Sequence, residues 1–190
     1  MLQDENRLLK EKINQILFHG PLLKKQNEHK NFIVSQVQAI KQRPVSETVL
    51  LYRTDSLNGT SFHKYIDRVP DIVLIVKTRA GIVFGAYSES PLEPDRKGDK
   101  RSFIMSITNQ KVFLVIGGKL AMIYDHHHLI FGNSEIKIRS GESKLLSNFG
   151  INNGFFNSKG GCVDDLLGEG KARETEIEGY EVHQVIFEEE

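Results

Sequence analysis

The stretch "DIVLIVKTRAGIVFGAYS", residues 71–88, decides the fold. Two apolar, largely β-branched runs, 72–76 and 82–87, flank Arg79-Ala80-Gly81. β-Branched side chains favour extended backbone, and a short glycine-containing turn joins neighbouring antiparallel strands. The first run lacks polar alternation, so both faces of that strand are expected to be buried.

The pattern recurs along the chain. "KVFLVIGGKLAMIYD", 111–125, holds two more apolar runs around Gly117-Gly118, and its 112–116 run is again continuous. Strands are also expected over 103–107, 135–139 and 180–187. In 135–139, Ile136 and Ile138 alternate with Glu135, Lys137 and Arg139, which suits a strand with one wet face. One helix is expected over 59–68, "GTSFHKYIDR", with Thr60 or Ser61 as its N-cap. Consecutive strands with few helices predict a mainly β chain with peripheral helices, in the α+β class. Its two antiparallel sheets would pack as a β-sandwich over 44–190. The polar stretch 91–100, "PLEPDRKGDK", is a surface loop.

Residues 1–43 differ in texture. Leu2, Leu9, Ile16 and Leu23 recur every seven residues, and Ile13 adds an intermediate apolar position. This predicts a helical arm, the end of a coiled coil, whose stripe is too short to be stable alone. Gly20-Pro21 should break it. A second helix through Phe32, Ile33, Val37 and Ile40 should end before Pro44. The stripe therefore needs a partner, which is a second copy, the following domain or the rest of a longer coil. The seven-residue spacing favours self-association through 1–43 over docking on the sandwich.

Charge is balanced overall, 25 basic against 25 acidic residues, so no net field draws the chain to nucleic acid. It is uneven locally: 1–43 carry eight Lys/Arg against four Asp/Glu, while 169–190 carry eight Glu against two basic residues. Both ends are potential docking surfaces. Cys162 is the single cysteine, which excludes an internal disulfide and suits a reducing compartment. With no run near the ~20 apolar residues of a membrane span and no signal-peptide core at the start, a cytoplasmic protein without membrane insertion is expected.

Candidate chemistry is sparse. His126, His127 and His128 follow Asp125. Successive residues of an extended segment point to opposite sides, so only His126 and His128 can share a metal. A third ligand from His63, His183 or Asp125 has no supporting spacing. Cys162 has no adjacent base, no Gly-x-Ser-x-Gly turn occurs, and "GEGKAR" lacks the hydroxyl and first glycine of a phosphate loop. A metal- or thiol-dependent enzyme using His126, His128 and Cys162 is one alternative. A nucleic-acid-binding factor using the basic arm and 96–101 is another. Neither catalysis nor a cofactor is expected.

Five blocks carry a resemblance: "LLYRTDSLNGTSFHKYID" (50–67), "IVLIVKTRAGIVFGAYS" (72–88), "SFIMSITN" (102–109), "IFGNSEIKI" (130–138) and "TEIEGYEVHQV" (175–185). In this order they resemble the TLDc family, the domain of the oxidation-resistance proteins and of nuclear-receptor-coactivator relatives. Ala86 stands where that family usually has a second glycine, Ile66 where it has a cysteine, and its tryptophan is missing. The resemblance implies the sandwich fold and a non-catalytic regulatory module. It also implies a role in oxidative-stress resistance and, as a partner, the vacuolar proton ATPase. Arg53, His63, Asp67, Glu176 and Glu178 are the polar residues inside its apolar blocks. They are the candidate partner-binding set, with Glu176 and Glu178 on one face of an extended segment.

Overall fold

The protein is described by a computed structural model covering residues 17–18, 20–23, 26–54, 62–93, 101–115, 122–125, 128–132, 136–139, 144–146, 166 and 174–189. A 3₁₀ turn, Pro21–Leu23, leads to helix α1, Asn27–Lys41, and strand β1, Val45–Arg53. A single helical turn, α2 (His63–Ile66), precedes β2 (Ile72–Thr78) and β3 (Val83–Ser88). Then come β4 (Phe103–Ser106), β5 (Lys111–Leu114), β6 (Met122–Asp125), β7 (His128–Phe131), β8 (Ile136–Arg139), β9 (Lys144–Leu146) and β10 (Glu174–Phe187).

Every ladder between these strands is antiparallel. The first sheet runs β5-β4-β3-β2-β10-β1, and the second runs β6-β7-β8-β9 and then the start of β10. Strand β10 belongs to both. Its residues 174–176 pair with β9, and its later residues lie between β2 and β1. The hairpin expected at 71–88 is β2–β3, with Ile75 opposite Gly85.

Alternation sorts the side chains of the first sheet into two cores. Leu74, Val76, Phe84, Ile104 and Val182 meet Leu129, Phe131, Ile136 and Ile138 of the second sheet, so the two sheets pack face to face. On the other side Val73, Ile75, Tyr87, Phe103 and Val185 meet Ile33 and Val37 of α1, together with Leu17, Phe18 and Leu23. Residues 72–76 are all buried, as their unbroken apolar run requires.

Helix α1 forms where the second apolar pattern predicts it. Ile33 and Val37, four apart, share its buried face. Gln42 ends it in the left-handed conformation (φ 57°), donating its N–H to the Gln38 carbonyl at 2.7 Å. Leu23, expected on a helix–helix seam, instead sits fully buried in the 3₁₀ turn, with no surface to offer a second copy. Leu2, Leu9, Ile13 and Ile16 lie outside the described residues.

Other expectations shift. Among the described residues strand β5 pairs with β4 alone and leaves Leu114 44% exposed, so this apolar run is not buried on both faces along its length. A continuous apolar run cannot distinguish a central strand from an edge. The Gly117-Gly118 turn lies outside the described residues, as do Gly59, Thr60 and Ser61. What is described of that helix is the one turn of α2.

Gly85 is required by close approach. A Cβ there would collide with the Leu74 carbonyl oxygen on β2. Beside it, Phe84 is fully buried between the sheets. Phe84→Ala should lower unfolding free energy in urea by about 3–5 kcal/mol, the usual range for a truncated core ring. An unchanged midpoint would place Phe84 outside the core.

Candidate functional site

The side of β10 away from the sheet-to-sheet core carries the carboxylates of Glu176, Glu178 and Glu181 in line. Ile177, Tyr180 and Val182 face that core, which leaves Glu176 and Glu178 on the opposite side. An irregularity between Ile177 and Gly179 shifts the phase by one. Glu181 and His183 therefore continue the same side, with Val185 in the second core. The two outer carboxylates are exposed, and each meets a cation from the β2–β3 hairpin. Glu176 lies 3.1 Å from Arg79, and Glu178 lies 2.8 Å from Lys77. Such exposed pairs contribute about 0–1 kcal/mol each, so this end of the row can exchange partners at little cost.

The inner end is closed. Glu181 and His183 have no exposed surface. One Glu181 oxygen accepts the Leu22 N–H at 3.1 Å, and the other lies 3.2 Å from His183 Nε2. Gly20 packs directly on this carboxylate, where a Cβ would collide with all three of its atoms. Phe18 sets its ring edge-on to His183 at 5.1 Å and donates its N–H to Thr48 Oγ at 2.7 Å. Its φ of 51° is costly for a bulky side chain. Lys30 of α1 is buried beside the group. Burial holds its ammonium below the ordinary lysine range, and the Glu181 charge opposes that shift. Among the described residues His183 Nδ1 is buried with no hydrogen-bond partner. Closed off in this way, the pair anchors Phe18, Gly20 and Leu22.

The remaining candidates are scattered. His63 Nδ1 and Asp67 Oδ1 sit 2.7 Å apart across the turn of α2, bracing the chain before β2. Arg53 ends β1 opposite Glu181 in register, with its side chain exposed. His128, half-buried, begins β7, while His126 and Cys162 lie outside the described residues. Among the described residues no group of three or more His, Cys, Asp or Glu could hold a metal. No described helix is long and apolar enough to cross a membrane.

A family model for the TLDc domain matches residues 24–185. The chain belongs to the TLDc family. No curated protein matches it. The TLDc match takes in α1 as well as the strands and ends inside β10. The five blocks that carry the resemblance fall on β1 with α2, on the β2–β3 hairpin, on β4, on β7–β8 and on β10.

Sequence reasoning missed the polar cluster that ties α1 to this TLDc sheet. Lys41 Nζ lies 3.0 Å from both Asp71 and Glu89, and Tyr87 donates its hydroxyl to Asp71 at 2.5 Å. Asp71, in the left-handed region at φ 55°, also accepts the Val185 N–H at 2.8 Å. The one signal in the sequence was an aspartate just before a buried strand. Burial alone would lower the Lys41 pKa, but hydrogen bonds and charges from Asp71 and Glu89 outweigh it and raise the value. A raised lysine pKa stabilises the fold fully below the unfolded value, about 10.5, and the contribution fades as pH rises through the folded value. Lys41→Met should therefore melt below wild type at neutral pH, with the gap narrowing above about pH 10.5. A gap that widens with alkalinity would contradict this pairing.

Proposed function

We propose that this TLDc domain is a non-catalytic interaction module that binds and regulates the vacuolar proton ATPase in the cytoplasm, as part of protection against oxidative stress. The observation that carries this reading is the position of the last family block. Its Glu176 and Glu178 are 59% and 49% exposed on one face, beside the core residues that share their strand. Charged residues inside an apolar block that stay in water are available for recognition. The pump is inferred from family membership, and the exposed carboxylates supply a surface suited to a basic patch on one of its subunits.

The test is capture of pump subunits on immobilised full-length chain, with wild type beside Glu176→Ala/Glu178→Ala. Wild type should retain subunits of the pump's cytoplasmic sector and the double variant should lose them. The variant should keep unfolding free energy within about 0.5 kcal/mol of wild type, as surface changes usually do. Retention of no pump subunit by wild type would refute the partner. Equal retention by the variant would refute the surface.

A further inference from the structure

The closed end of the carboxylate row has the make-up of an occupied binding seat. Leu17, Phe18 and Leu23 are fully buried on the outer face of the first sheet. Between them, the Leu22 N–H meets a carboxylate that has no access to water. A buried carboxylate is tolerated only when donors surround it. Among the described residues they are one backbone N–H, one imidazole and the nearby Lys30 charge. Three unfavourable features concentrate at this contact. They are the left-handed Phe18, the unpartnered His183 Nδ1 and the desolvated Glu181. The first and the last of these are relieved when Leu17, Phe18 and Gly20–Leu23 lift away, so these residues can open at lower cost than the sheet beneath them.

We propose that Leu17, Phe18 and Gly20–Leu23 are an intramolecular occupant of a peptide-binding seat on β10, displaced by a partner peptide that carries large apolar side chains and one Lys or Arg directed at Glu181. The proposal rests on the reading of the domain as an interaction module and specifies how its partner engages. The apolar requirement follows from the space that Leu17, Phe18 and Leu23 would vacate. The cation follows from Glu181, which loses the Leu22 N–H on opening and needs a strong donor in its place. The row continues from Glu181 to the exposed Glu178 and Glu176, so an approaching cationic peptide is attracted along the same strand. Gly20 is the gate, because only a residue without a Cβ lets the segment lie on the carboxylate.

Two measurements on the full chain test this. In wild type, the Phe18 and Leu22 amides should exchange with deuterium by local opening, at least about tenfold faster than those of Val73 and Ile75 in β2 and insensitive to low denaturant. Exchange of all four only through global unfolding would overturn the proposal without any variant. The second measurement uses a fluorescent peptide of residues 16–25, ILFHGPLLKK, as the probe. Gly20→Ala unseats the chain's own segment, so this variant should bind the probe at least about tenfold more tightly than wild type, whose closed segment competes. A probe carrying the same Gly20→Ala change should not bind. Equal affinity of wild type and variant, or binding that ignores the glycine, would overturn the seat. Pump capture can fail while both measurements succeed, so the two readings fail separately.

Discussion

The structure depends on β10, a fourteen-residue strand hydrogen-bonded along most of its length on both edges. Each of its partners, β1, β2 and β9, precedes it in the chain. The first sheet therefore joins β1 to β2 only when β10 arrives. Such long-range pairing incurs loop-closure entropy before contacts offset it. Burial on both faces supplies that offset. Val182 and Tyr180 enter the core between the sheets, and Val185 enters the core beneath α1.

That double burial also explains where polar groups become informative. A strand buried on both faces has little reason to carry Glu181 and His183, since each must be desolvated and partnered. The chain meets the demand by laying Phe18, Gly20 and Leu22 over them and bringing Lys30 alongside. The same device recurs at the far end of α1, where Lys41 neutralises Asp71 and Glu89. The helix is thus fixed at both ends by charge and between them by Ile33 and Val37. Glu176 and Glu178, beyond the helix, carry no such burden.

Much of this was legible in residue pattern. The 72–76 run, the glycine turn after it and the Ile136/Ile138 alternation are local signals, and each strand formed as its period required. The buried Ile33 and Val37 of α1 and its end before Pro44 were legible for the same reason. What covers an outer face is not local. Nothing around Leu23 distinguishes a side chain buried on its own sheet from one on a helix–helix seam. Leu114 sits in a run as apolar as that of β2, yet among the described residues its strand is an edge. Of the candidate site, Glu176 and Glu178 could be placed on one face by counting. The bulge that aligns Glu181 with them, and the Asp71–Lys41 contact, depend on register and on partners distant in sequence.

Fragment complementation tests the central role of β10 most directly. A chain of residues 1–173, which stops before this strand, should lack native near-ultraviolet circular dichroism and cooperative melting. Adding a peptide of residues 174–190 should restore both at one-to-one stoichiometry. If the 1–173 chain instead melts cooperatively by itself and does not respond to the peptide, β10 is an accessory strand and the two sheets hold together without it.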